Sequence, residues 1–355
     1  MRFSILKTLG IFILGLIIGA AGFYFYSQLE AQSVSTVTPT TPPKSEGWFN
    51  GTIKVGHLVA LDMAPLFIAK EAGFFKEEGL DVETIFFSNP GDNNAALAGG
   101  SIQFSTNPFT LPFFGENNGI PMRIISSAGG SSVIQVIIQK QYNVKGMDSL
   151  AAWVKNNKGK KLKVASLKGD TLDMILFRSF KNVGLTYDDF EMVWFNDLLA
   201  MVQAFETKQV DILSHIQPYT TRMQVEMGAQ LLTDNNETWG DGTPNCTVNV
   251  MEDFIKKYPK TVEAYLKAIY KGFDMIVKDP EKATELVVKG NYYRVSPEVL
   301  LSAFKKQQKL QLMPNKEGVM VAIHDMVKQN YIKEPKSDIF YLQPLADIKK
   351  QMEKN

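Results

Sequence analysis

Phe75-Lys76-Glu77-Glu78-Gly79-Leu80 returns a hundred residues later as Phe180-Lys181-Asn182-Val183-Gly184-Leu185. A strand-like run precedes each copy: Ile53-Lys54-Val55 before the first, Leu162-Lys163-Val164 before the second. Downstream, Asp81 to Phe87 (DVETIFF) parallels Asp189 to Phe195 (DFEMVWF), and Leu97 to Phe104 (LAGGSIQF) parallels Phe205 to Ile212 (FETKQVDI). Two copies of one strand–helix–strand–helix–strand unit specify two similar α/β lobes. Two lobes on one chain leave a cleft, and clefts are where small ligands are held.

Local signals fill in the units. Thr52–His57 reads as a short buried strand, and Ala64–Glu71 as a helix with Pro65 in its first turn, where a missing N–H does no harm. Val82–Phe87 reads as the next strand. A Pro90-Gly91 turn and a short helix over Asn93–Ala98 follow, then a strand at Ile102–Phe104. Met122–Ser126 and Val133–Ile138 continue the pattern. Strands alternating with helices predict parallel pairing with right-handed crossovers. After about residue 237 the chain turns helical, with helices expected over 253–278, 281–288, 296–310 and 319–329. Phe254, Tyr258, Tyr265, Tyr270 and Phe273 recur at near-helical spacing there and read as core packing. The simplest course for this tail is a return to the first lobe. The expected organisation is α/β, two parallel-type lobes with a hinge. Lobe one spans 51–134, lobe two 135–236, and 237–355 is the return and helical tail.

Composition excludes several classes. The 355 residues carry 45% hydrophobic and 21% charged side chains, as globular proteins do, with ample chain for a core. A formal net charge of +1 gives no general pull toward nucleic acid. The basic turn over 155–161 lacks interleaved aromatics and reads as a solvated surface. The single Cys246 rules out an internal disulfide and a thiolate metal cluster. His57, His215 and His324 have no metal-type spacing. No metal and no cofactor is expected.

The amino terminus stands apart. Arg2 and Lys7 precede 22 uncharged residues, Thr8 to Leu29. At about 1.5 Å per residue such a helix crosses a ~30 Å hydrocarbon core. The basic flank places the carboxy-terminal body outside the cytoplasm. Residues 1–32 are thus a signal peptide or a membrane anchor, with Tyr24 and Tyr26 at interface positions favouring the anchor. Residues 33–50, rich in Ser, Thr and Pro, read as a semi-stiff tether.

In α/β lobes the ligand meets the carboxyl ends of strands and the amino ends of helices. In lobe one that rule selects Leu58, Asp62, Asn89, Asp92, Ser105, Thr106 and Asn107, with Gly130 and Ser131 at the crossover. In lobe two it selects Gly169, Asp170, Thr171, Asn196, His215, Gln217 and Tyr219. These side chains offer many hydrogen bonds and little reactive power. Asp170 or Thr171 also reads as a helix cap, and the N–H groups behind it as a seat for an anion. Asn89 is first a turn residue and second a ligand clasp. His215 is a hydrogen-bonding residue or a ligand contact. Nucleophile-elbow, phosphate-loop and dinucleotide motifs are absent from the sequence, so no catalytic residue is selected.

The run Ala64-Pro65-Leu66-Phe67-Ile68-Ala69-Lys70-Glu71-Ala72-Gly73-Phe74-Phe75, followed by Glu78-Gly79-Leu80-Asp81-Val82, resembles the extracytoplasmic solute-binding proteins of ABC importers. The group in question serves nitrate, sulfonates and taurine, and thiamine pyrimidine precursors. Ala95–Phe104, Lys158–Val164 and Gln209–Ile212 carry the likeness on, over about Ile53 to Asn249. The resemblance implies a type II periplasmic-binding fold, a small polar solute gripped between the lobes, and a membrane permease with its ATPase as partners. It also implies an extracytoplasmic location. Three departures stand out. The lipid-attachment cysteine and the cysteine-rich motif of pyrimidine-synthesising relatives are both missing, and few arginines fall at cleft positions. A neutral or partly cationic ligand therefore competes with an anion. Two other classes stay open: an enzyme on the same fold, similar to menaquinone-pathway relatives, with Asp62 and His215 as its candidate groups, and a membrane-tethered ligand sensor.

Overall fold

In a computed structural model describing residues 46–130, 132–307 and 311–352, the strand signals resolve into two five-stranded sheets. β1 (Ile53–His57), β2 (Val82–Phe86), β3 (Phe104–Pro108) and β4 (Met122–Ser127) come first in the chain. β5 (Ile134–Ile138), β6 (Lys163–Leu167), β7 (Glu191–Phe195), β8 (Ile212–Ile216), β9 (Gln230–Asp234) and β10 (Cys246–Met251) follow. The orders are β2-β1-β3-β10-β4 and β7-β6-β8-β5-β9. The repeat is visible in the pairing. Ile53 pairs with Val82 and Val55 with Phe104, while Lys163 pairs with Glu191 and Val164 with Ile212, all parallel.

Parallel pairing describes only these three-strand units. β10 runs antiparallel between β3 and β4, and β5 antiparallel between β8 and β9. The reason is the route of the chain. β5 enters its sheet directly from β4 of the other sheet, and β10 returns from β9 past the short Asn235–Trp239 helix, so neither strand is reached by a crossover within its own sheet. Each sheet receives one strand from the other side. Residues 128–133 and 235–245 are the two connections.

The Ala64–Glu71 helix lies where the sequence puts it, with Ala64 to Ala69 buried. β3 starts at Phe104 rather than Ile102, because Ile102 turns into a separate apolar cluster with Leu97 and Met122. Phe49, within the span read as tether, packs its ring tilted against Phe254 and edge-on against Tyr258 (centroids 5.5 and 5.2 Å). An aromatic ring next to an apolar helix gains by packing on it, so the ordered body begins before residue 51. The helix predicted over 253–278 is two, Glu252–Lys257 and Pro259–Lys278, divided at Pro259. Within that stripe Tyr265 is fully buried and stacks on Phe104 at 4.0 Å.

The tail is shared between the sheets. The Pro259–Lys278 helix packs on Ala64–Glu71, whereas the Lys316–Lys328 helix packs on Thr171–Asn182 and Asn235–Trp239 beside the second sheet. An ion pair, Arg178 Nε to Asp325 Oδ2 at 2.6 Å, fixes that contact, with Asp325 fully buried. Phe340 then pairs with Ile124 at the edge of the first sheet. Among the described residues no helix is long and apolar enough to cross a membrane. The segment read as signal peptide or anchor, and the tether to residue 45, lie outside the described residues.

Candidate ligand-binding cleft

The facing rims of the two sheets touch. Leu61 N–H donates to the Gln217 carbonyl (2.8 Å), and Asn89 Nδ2 to the Asn196 carbonyl (2.7 Å). Each of these bonds joins a residue after a strand of one sheet to a residue after a strand of the other.

Deeper in, four residues form a chain from rim to rim. Asp62 Oδ2 accepts the Cys246 N–H at 2.7 Å, and Asn245 Nδ2 lies 3.4 Å from Asp62 Oδ1. Asn245 Oδ1 accepts the Thr171 hydroxyl at 2.8 Å, which also lies 3.0 Å from Asp170 Oδ1. All four of these side chains are buried. Burial pushes the Asp62 carboxyl up to about 7 against the pull of its hydrogen bonds. Burial likewise raises Asp170 to about 6, and neighbouring Asp173 adds to the rise. Gly130 makes the approach possible. At φ +98° it passes Asp62 so closely that a Cβ would sit 2.8 Å from Asp62 Cβ.

The amino end of the Thr171–Asn182 helix, an expected anion seat, is occupied by the protein's own carboxylates. Asp170 Oδ1 accepts Leu172 N–H at 2.9 Å, and Asp173 Oδ2 accepts Gly169 N–H at 2.8 Å. Gly169, at φ +76°, turns the chain into this helix with Phe114 of the opposite rim 3.2 Å from where its Cβ would be.

The other selected residues divide. Gln217 belongs to the rim, with its Nε2 on the Ser132 carbonyl at 2.7 Å. Asn107 is fully buried at the end of β3, its Nδ2 on the Pro90 carbonyl at 3.0 Å and its Oδ1 without a partner. Asn89 caps the Pro90–Ala98 helix through Oδ1 while its Nδ2 reaches across. Ser105 turns inward to Asn93, and Leu58 and Thr106 are buried. Asp92 is exposed beside the Asn89 cap. His215 is fully buried with Nε2 2.9 Å from the Leu198 carbonyl, and burial depresses it to about 4, so it stays neutral at pH 7. Its bond holds the start of the Leu198–Glu206 helix. Ser131 lies outside the described residues.

A cavity of about 340 Å³ opens at one end of the rims, between His57, Phe86 and Tyr292 on one side and Leu199 and Tyr219 on the other, with Arg294 exposed at its edge. Only Tyr219 among the selected residues lines it. The strand-end rule misses Asn245 and Cys246 because they lie at the start of β10, whose place in the first sheet has no counterpart in the repeat. A rule that inspects each inter-lobe crossing would find them. Tyr292 and Arg294 come from the helical tail, where nothing in the pattern separates a cleft residue from a core one. Among the described residues no group of His, Cys, Asp and Glu is arranged to hold a metal ion.

The NMT1-like family's sequence model matches residues 50–288. A putative aliphatic sulfonates-binding protein of Bacillus subtilis is 28% identical over 62% of this chain and 64% of its own length. A 4-amino-5-hydroxymethyl-2-methylpyrimidine phosphate synthase of Saccharomyces cerevisiae is 24% identical over 62% of this chain and 64% of that one. The chain spans just under two thirds of the length of the curated relatives it matches. Among solved structures, the periplasmic nitrate-binding protein NrtA of Synechocystis PCC 6803 superposes with a TM-score of 0.74 at 17% identity, over 86% of this chain and 89% of that one. That likeness establishes the two-lobed, type II binding-protein fold.

Proposed function

The chain belongs to the NMT1-like family, and from that premise we propose that it is the solute-binding component of an ABC importer. It works outside the cytoplasm, either tethered to the membrane by its amino-terminal apolar segment or released when that segment is cleaved as a signal peptide. The observation that carries this reading is the pair of rims. Buried polar side chains from both sheets meet there, and only two short connections and the tail join the sheets. A small polar solute that bonds to both rims favours the closed arrangement through contacts the open one lacks. The loaded form then docks on a permease driven by an ATPase. The sixteen residues selected from sequence are its candidate contacts, with Asn245 and Cys246 added.

Mass spectrometry of solute released from the purified full-length chain tests the proposal, paired with solution scattering before and after its removal. The expected result is one small polar molecule whose return raises the melting temperature and shrinks the radius of gyration. Finding no released solute, and no response to a broad metabolite set, sinks it.

One observation favours a second reading. A buried carboxyl held near 7, as Asp62 is, suits general acid–base work, and one relative bears a synthase's name. Turnover of a bound solute that disappears in Asp62→Asn supports an enzyme instead.

A further inference from the structure

Resting on the solute-binding reading, we propose that the cleft takes a small organic cation, an ammonium, amidinium or guanidinium group lodged between Asp62 and Asp170, and that it turns away oxyanions. Four observations converge on this.

First, the two carboxylates belong to one buried network. They are joined through Asn245 and Thr171, and both act on the Cys246 thiol, which they and burial push up. Second, neither has a basic partner: among the described residues no lysine or arginine pairs with Asp62 or Asp170. The basic side chain nearest in sequence, Lys168, lies over the rings of Trp194 and Tyr331. A buried charge without a counter-charge is costly, and an incoming cation removes that cost.

Third, two buried atoms beside this network that lack a partner, Asp170 Oδ2 and Asn107 Oδ1, are pure acceptors. Asn107 is independent of the acidic pair and says the same. Its Nδ2 must face the Pro90 carbonyl, so the atom left over is Oδ1. Asn107 pairs in register with Thr247, one residue from the Cys246 N–H that binds Asp62. Two residues on, Phe109 N–H donates to the Asn245 carbonyl, so this strand end is tied to the same network.

Fourth, the backbone donors that would hold an oxyanion at the Thr171–Asn182 helix are already engaged. Leu172 N–H goes to Asp170 and Gly169 N–H to Asp173. A nitrate or sulfonate arriving there would meet two carboxylates where it needs N–H groups. An amidinium has the opposite fit, with parallel N–H donors matching carboxylate oxygens.

Isothermal titration of the full-length chain at pH 8 with benzamidine and agmatine, against sodium nitrate and ethanesulfonate, tests the inference. We expect saturable binding of a cationic probe and none of the anions. Asp170→Asn should weaken the cation at least tenfold with the fold intact, because Asn caps a helix as well as Asp does. Asp62→Asn, which keeps an acceptor for the Cys246 N–H, should do likewise. Binding of nitrate or ethanesulfonate, undiminished in these variants, overturns the inference and leaves the transport reading standing. Binding of neither class also overturns it. The released-solute experiment, which presumes no ligand charge, then judges the transport reading separately.

Discussion

Asp62 ties the chemistry of the cleft to the stability of the fold. A carboxyl raised from 3.8 to about 7 by burial binds its proton more tightly folded than unfolded. Its stabilising contribution is complete below the unfolded value and is lost as pH rises through about 7. The titratable groups that act on it or feel it are Cys246, Tyr293 and, through the shared thiol, Asp170. His57 and His215 act in the opposite sense. Burial depresses both to about 4, so their contribution is present above 6.5 and fades as pH falls through 4. Melting temperatures from pH 4 to 9 should show Asp62→Asn gaining on the parent chain as pH climbs from 4 to 7, with the difference level above that. A constant offset across the range would contradict the assignment.

At the scale of elements, helix–helix contact depends on one missing side chain. Gly272 sits inside the Pro259–Lys278 helix, where alanine is the better helix former by about 1 kcal/mol. A Cβ there would lie 2.3 Å from the Pro65 carbonyl oxygen and 3.1 Å from Ala69 N, backbone atoms of the facing helix. Gly272→Ala should therefore destabilise by about 1–3 kcal/mol in denaturant titration, overpacking outweighing propensity. An increase in stability would show that the helices slide apart freely. Elements of this kind are legible in the sequence as far as their signals are local. Pro65 opening a helix and the Gly79-Leu80 and Gly184-Leu185 endings of the repeat fix their own neighbourhoods. The antiparallel placing of β5 and β10 is not legible, since it depends on which sheet a strand enters. The cleft divides in the same way. Asp62, Asp170 and Thr171 follow from where strands and helices end, whereas Asn245 and Arg294 arrive from sequence-distant segments with no periodic signal.

For the whole molecule, the Lys316–Lys328 helix joins the sheets as surely as the strand crossings do. Asp325 is fully buried against Arg178 of the second sheet's helix. Arg178→Ala would leave that carboxylate only the more distant Lys328, 3.9 Å from its Oδ1, and should cost about 3 kcal/mol by chemical denaturation. A loss within experimental error would mean the tail rides loosely on its partner. The route of the tail also bears on how the cleft opens. A clamshell held by two connections alone could swing as a simple door. Here the chain leaves the first sheet, lies along the second and comes back to β4, so any swing drags a strap across Thr171–Asn182. That strap seats on the same helix that Asp170 caps, so the rim network and any swing of the sheets are coupled through two ends of one rod.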